Sequence, residues 1–458
     1  MSTTKPYKIA FVHPDLGIGG AERLVVDAAV GLQDLGNEII IYTSHCDLTH
    51  CFEEVSSKQL KVSVHGDFLP TNILKKFYIL FGILRQFYLV LSLIISGEVK
   101  NYDFFIVDQL SFCVPLLSFF SSPHCRVLFY CHFPDQLLTK RTSFIKSLYR
   151  VPFDFIEEFT TGYSDKIVVN SNFTKSMFHD TFKRLNKVNP GVIYPCVDTE
   201  VEETPESDSD VTKFFKDSRY FLSINRFERS KNIDLAIQAF AKSKKVIPGK
   251  PRLVIAGGYD HRVLENVEYL KELCALCDKL KLTNFTIRGK LIVMPPATDV
   301  LFLPSIKSSL KTSLLKHAEL LLYTPGREHF GIVPVESMLY KKPVLAINFG
   351  GPLETVVNYD GENIDEATGF TAPGDNDKWA KIMTKYYNDT TDSVKSQLGQ
   401  NGYKRVLDNF SRDEMSKEFV KNLQEASTKS AVKIDTYSRF FPMIIIAISY
   451  TVFRVFFL

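Results

Sequence analysis

Twice along this chain, short apolar runs rich in β-branched and aromatic residues alternate with segments of helical periodicity. The first series is KIAFVH, EIIIYTS, LKVSVHG, DFFIVDQ, RVLFYCH and DKIVVNS. The second is RYFLSIN, RLVIAGG, NFTIRG, ELLLYTP and KPVLAIN. A strand that is apolar on both faces needs helices over both faces. The pattern therefore predicts α/β domains with parallel, doubly wound sheets. The first crossover is the clearest: Ala21 to Leu35 carries a helical apolar pattern that ends at Gly36. Between the two series the composition changes to VEETPESDSD, which cannot build a core and predicts a linker or exposed loop. With 458 residues there is enough chain for two cores. The expected division is a first domain over 1–198, a linker over 199–219 and a second domain over 220–412.

A net charge of +3, from 55 basic and 52 acidic residues, gives no reason to invoke nucleic acid. Eight cysteines are scattered without a repeat. Cys274 and Cys277 form a lone C-x-x-C with no second pair to complete a zinc site, so free thiols and no metal are expected. Met1 to Pro6 is polar and the following apolar run is too short for a signal peptide, which places the catalytic part in the cytosol. The acceptor triplets at Asn172, Asn284 and Asn388 would then stay unmodified.

Two segments do not fit a soluble protein. Leu74 to Ile95 is apolar and aromatic almost all round, interrupted by Lys75, Lys76 and Arg85, which favour a helix lying at a membrane interface over one that spans. From Phe440 to the last residue runs FFPMIIIAISYTVFRVFFL. Nineteen residues rise roughly 28 Å as a helix, about a hydrocarbon core. Membrane lipid is an expected partner; spanning and interfacial arrangements stay open.

The chemistry concentrates in EHFGIVPVE. Glu328 follows an extended segment and the break YTPG, and should sit on a loop past a strand end. Gly331 lets backbone approach a ligand. Pro334 suits a first helical turn, which would hold Glu336. One acid on a loop and one on a helix can grip two ends of a polyhydroxylated ligand. Arg226 and Lys231, in RFERSKN after another strand, suit a diphosphate: one offers a planar fork, the other a point charge. Arg229 should face solvent. Gly17, Gly19 and Gly20 form a loop ahead of a helix N-terminus, which favours negative charge. GIGGAE lacks the third glycine of a dinucleotide fingerprint. His132 follows the strand VLFYC, where its ring could project into a site.

These residues carry a resemblance. EHFGIVPVE is similar to the E-x7-E signature of the retaining glycosyltransferases of family four. GIGGAER, YCHFPD, SINRFERSKN and GGPLETV resemble its other motifs over about Tyr7 to Phe410. Within that family the set is most similar to the mannosyltransferases of dolichol-linked N-glycan precursor assembly. The resemblance implies the GT-B architecture: two Rossmann-like domains facing a cleft, with a helix near the end, here 413–426, returning to the first domain. It implies GDP-mannose as donor, with no tightly bound cofactor and no metal for donor binding. It also implies a mannosylated dolichyl-diphosphate acceptor, α-1,3 and then α-1,6 transfer with retention, and the cytosolic face of the endoplasmic reticulum membrane. Other transferases of the pathway are candidate partners.

By the same resemblance Glu328 binds the donor sugar near its anomeric centre and Glu336 the ribose. Phe330, Gly331 and Ile332 offer backbone N–H groups. Gly19 and Gly20 reach the donor from the opposite domain, and His132 contacts the sugar. Whether Glu328 is nucleophile or electrostatic support stays open. His329 and Glu354 are weaker candidates. Two other readings remain: another enzyme of this fold, either a transferase with another nucleotide sugar or lipid acceptor or a sugar-nucleotide epimerase, and a non-catalytic membrane scaffold. The scaffold predicts decay of Arg226, Lys231, Glu328 and Glu336, yet all four are present.

Overall fold

The computed structural model describes residues 6–73, 76–139, 141, 143–200, 205–216 and 218–428. They form two compact units: the chain up to Cys196 together with the chain from Arg412, and Val197–Ser411.

The first unit holds seven strands: β1 (Lys8–Asp15), β2 (Glu38–His45), β3 (Val62–Val64), β4 (Phe104–Asp108), β5 (Arg126–Cys131), β6 (Lys166–Val169) and β7 (Gly191–Val192). They pair in parallel in the order β3-β2-β1-β4-β5-β6-β7. The order reverses between β1 and β4, where Ile9 stands opposite Phe104. In open α/β sheets such a reversal leaves a crevice at the carboxyl ends of the strands, the usual place for a ligand. Both faces are covered, as continuous apolar strands require. On one side lie Val25, Val26 and Leu32 of the helix Gly20–Asp34 and Met415, Phe419 and Leu423 of the helix Arg412–Thr428. On the other lie Leu89, Val90 and Leu93 of the helix Tyr78–Ser96, with Leu117 and Phe178.

The second unit repeats the plan with β8 (Tyr220–Ile224), β9 (Arg252–Gly257), β10 (Asn284–Thr286), β11 (Val300–Pro304), β12 (Leu320–Tyr323), β13 (Val344–Ile347) and β14 (Gly369–Ala372). All pairs are parallel, in the order β10-β11-β9-β8-β12-β13-β14, and the reversal falls between β8 and β12. Phe240, Trp379 and Met383 are fully buried in its core.

Several expectations need correction. The acidic stretch expected as a linker is helical over Pro205–Phe215. It is held by buried Val211 and Phe215 and by Asp208, which accepts from Lys316 Nζ at 3.0 Å. Strands β7, β11 and β14 were not foreseen. The helix expected to associate with a membrane begins at Tyr78 rather than at 74 and is, by length and composition, apolar enough to cross one. Its Arg85, read as a charge facing an interface, turns inward: Nη1 lies 2.9 Å from Asp15 Oδ1 and Nη2 donates to Ser44 O at 3.2 Å. The helix assigned to 413–426 runs over Arg412–Thr428. The apolar run 440–458 lies outside the described residues.

Candidate active site

In the second unit the loops that leave β8 and β12 meet at the reversal. Arg226 and Lys231 follow β8, and Glu328 lies on the loop after β12. Lys231 Nζ donates to Glu328 Oε2 at 2.8 Å, with both side chains about four-fifths buried. Thr324 Oγ1 donates to the Lys231 carbonyl at 2.7 Å and ties the two loops together. Arg226 does not join this pair: it is largely exposed and lies 3.0 Å from Glu228. Arg229 turns outward, as expected, and pairs with Glu272 at 2.6 Å.

The Glu328 loop is pinned from below by the double glycine of GGPLETV. Gly351 N–H donates to the Glu328 carbonyl at 2.9 Å, and a Cβ on Gly351 would stand 2.3 Å from Phe330 Cα, so no larger residue fits. Phe330 is buried against Phe410, ring centroids 5.5 Å apart. Gly331 then turns the chain at φ +90°, which favours glycine, and caps the helix Ile332–Leu339. The first N–H groups of that helix, beginning at Ile332, have no intrahelical acceptor and suit an anion.

Glu336 is the fifth residue of this helix, not a residue of its first turn; the positive-φ glycine starts the helix at Ile332. Its Oε1 accepts from Lys311 Nζ at 2.7 Å. Its Oε2 is buried and has no hydrogen-bond partner among the described residues. A buried, unsatisfied carboxylate oxygen is costly and is a ready acceptor for a ligand hydroxyl. Tyr323, the last residue of β12, lies close to both acids: burial, then the Glu328 and Glu336 charges, push its phenol well above the ordinary range.

The first unit has its own polar cluster at its reversal. His13 on β1 places Nδ1 2.9 Å from Asp108 Oδ1, at the end of β4. His132, one residue past β5, places Nε2 2.9 Å from Asp108 Oδ2. Burial opposes charge on His13, but the Asp108 carboxylate outweighs it and the imidazole is raised above its ordinary value. Burial likewise opposes the Asp108 charge, yet contact with His13 and His132 brings that carboxyl down to about 2. An ionised Asp108 accepts from both rings, so His132 donates to it through Nε2–H. Gly19 is the N-cap of the helix Gly20–Asp34, and Gly20 is its first residue.

The profile of Glycosyltransferase Family 4 matches residues 18–201, and that of Glycosyl transferases group 1 matches residues 205–405. The alpha-1,3/1,6-mannosyltransferase ALG2 of Candida albicans is 68% identical over 428 residues, covering 89% of this chain and 96% of that protein. The protein of the same name from Saccharomyces cerevisiae is 50% identical over 459 residues, covering 97% and 88%. The chain belongs to the alpha-1,3/1,6-mannosyltransferase family. Solved structures add the fold: a glycosyltransferase from Rickettsia africae superposes with TM-score 0.68 at 18% identity, covering 92% of this chain and 99% of the other. Anabaena Alr3699/HepE, solved with UDP and glucose, gives 0.65 at 19% identity, covering 92% and 100%. This mannosyltransferase therefore has the GT-B fold of two Rossmann-like units.

Four residues of these two clusters went unread as candidates in the sequence: His13 and Asp108 in the first unit, and Lys311 and Tyr323 in the second. A histidine inside an apolar strand looks like a core residue. His13 and Asp108 lie 95 positions apart, and only the sheet order joins them.

Proposed function

We propose that the chain transfers mannose from GDP-mannose, with retention, to a mannosylated dolichyl-diphosphate oligosaccharide, forming an α-1,3 and then an α-1,6 linkage. The named relatives support the reaction. The observation that carries the assignment of residues is the Lys231–Glu328 pair at 2.8 Å, at the strand reversal of the second unit.

In this reading Lys231 and Arg226 take the charge of the departing diphosphate, and the N–H groups at Phe330, Gly331 and Ile332 take its oxygens. As negative charge builds on the leaving group, Lys231 turns from Glu328 toward phosphate. That frees Glu328 to face the cationic anomeric centre. One lysine is thus shared between ground state and transition state, and binding favours the latter. Glu336, with Oε2 open, accepts from the ribose hydroxyls, while Lys311 holds its Oε1. His132, held by Asp108, takes a hydroxyl of the sugar. Gly19 and Gly20 allow close backbone approach to the donor. Two cationic side chains suffice for the diphosphate, so donor binding is expected to survive EDTA.

The test is mass spectrometry of the lipid product after incubation with a synthetic mannosylated acceptor, with GDP-mannose and UDP-sugars in parallel. Two successive hexose additions with GDP-mannose alone are expected. Addition from a UDP-sugar, or none from GDP-mannose, overturns the reading. Placement at the cytosolic face of the endoplasmic reticulum belongs to the same proposal, since the polyprenyl tail of such an acceptor stays in a bilayer.

A further inference from the structure

The helix Phe144–Thr161 of the first unit is turned inside out. Phe144, Ile145, Leu148, Val151 and Phe155 recur at helical spacing on one face and are 45–82% exposed. Pro152 lies on the same arc and is also exposed, and no charged residue interrupts it. The protein-facing side carries the polar groups: Arg150, paired with Asp135 at 2.6 Å and Asp154 at 3.2 Å, then Glu157 and the buried Thr160 and Thr161. A surface helix in water has the opposite pattern. A continuous apolar face of this kind marks a contact with something apolar.

Three observations point to lipid. Phe153 and Ile156 pack beside Ile79 and Ile83 of the helix Tyr78–Ser96, which is long and apolar enough for a membrane and whose one charged residue, Arg85, is turned inward. The apolar surface continues across the junction through exposed Phe77, whose ring meets Tyr149 at 5.7 Å. Finally, the stretch between Asp135 and Asp154 contains no acid; its Arg141 and Arg150 pair with those flanking acids, while Lys140 and Lys146 add positive charge to the segment. Lys146 in the first turn of the helix, though turned away from the apolar arc, and Lys76 are both exposed, and basic residues near an apolar helix face meet anionic headgroups.

We propose that the outward face of the helix Phe144–Thr161 lies within the headgroup–acyl boundary of an anionic bilayer and docks the first unit there, in addition to the two apolar segments visible in the sequence. Its use rests on the proposed lipid acceptor; its existence does not. Docking along this face would bring the strand ends of the first unit to the level where a lipid diphosphate sits. Glu157 and Gln109 line one small cavity, and Gln109 directly follows Asp108, so the lipid-facing helix and the histidine cluster are neighbours.

The test uses the full chain in phosphatidylcholine vesicles with and without phosphatidylserine. Photoreactive benzoyl-phenylalanine replaces Leu148 or Phe155, and Lys421 of the helix Arg412–Thr428 serves as control. Phospholipid adducts at 148 and 155 but not at 421, increased by phosphatidylserine, are expected. Adducts to a second copy or to peptides from 440–458, or none in vesicle-bound protein, overturn the proposal. In parallel, the double variant Leu148→Glu, Phe155→Glu should transfer mannose about tenfold more slowly to a long-chain acceptor in vesicles. A short water-soluble acceptor should be used at the unaltered rate; equal rates on the long-chain acceptor count against docking. Failure of the unaltered protein on the soluble acceptor would instead sink the mannosyltransfer reading and leave the adduct result standing.

Discussion

At the scale of single residues, the site divides into groups that identity alone reveals and groups that only the sheets bring together. Glu328, Glu336, Lys231 and His132 could be named as candidates because each lies in a short run that follows an apolar strand; in EHFGIVPVE the glycine and proline also mark the turn into a helix. Lys311 and Asp108 could not, because no spacing rule connects them to their partners. Lys231→Ala is expected to lower the thermal midpoint by a few degrees while the fold is kept, since it leaves Glu328, about four-fifths buried, without its partner. The same change should lower kcat by about 10²-fold or more, as loss of a leaving-group cation does. Single-turnover rates beside a melting curve check both; wild-type turnover would remove Lys231 from the site. Asp108→Asn tests the first-unit cluster through pH. The folded Asp108 titrates at about 2, below its unfolded value, so its stabilisation is complete above about pH 4 and fades as pH falls. His13 is raised, so its share is complete below about pH 6.5 and fades as pH rises through the raised value. The difference in stability between wild type and variant, about 2 kcal/mol, should therefore be largest between those limits in urea titrations. A flat difference across pH would break the assignment.

At the scale of elements, the long buried strands were readable because parallel strands covered on both faces are almost wholly apolar. β7 and β14 escaped because GV and GFTA are too short and small to signal a strand. β11 escaped because VLFLP follows the proline-broken stretch MPPATD. The helix Pro205–Phe215 hides in acidic sequence because just two of its side chains, Val211 and Phe215, reach the core. The inverted helix Phe144–Thr161 makes a prediction of its own. Its Glu157 accepts the backbone N–H groups of Asp135 and Gln136, at 2.6 and 3.2 Å. Burial, then the nearby Asp135 charge, push its carboxyl up to about 8. The unfolded chain therefore loses this proton first, and stability falls between about pH 4.5 and 8, by about 3–5 kcal/mol if no other group compensates. Glu157→Gln keeps an acceptor for the N–H groups and removes the charge. It should flatten this slope and raise the urea midpoint at pH 8; an unchanged slope would place the titration elsewhere.

At the scale of the whole molecule, the plan of two Rossmann-like units was legible because the alternation of strands and helices occurs twice. The division itself is less simple than the order of the chain. The first unit is completed by the helix Arg412–Thr428, whose Phe419 and Leu423 are fully buried in its core. Each such side chain contributes about 1.5–3 kcal/mol on burial. A fragment ending at Cys196 is therefore expected to be insoluble or molten, and co-expression of 405–428 should rescue it. Cooperative unfolding of the shorter fragment alone would contradict this.

The same interleaving sets a timetable on the ribosome. The N-terminal half emerges first yet lacks its closing helix until all of Val197–Ser411 has been synthesised, a delay on the order of tens of seconds. The later-made half is contiguous and can finish folding before the earlier one. During that interval the nascent first unit exposes the groove that Phe419 will fill, and this is when a chaperone would have most to hold.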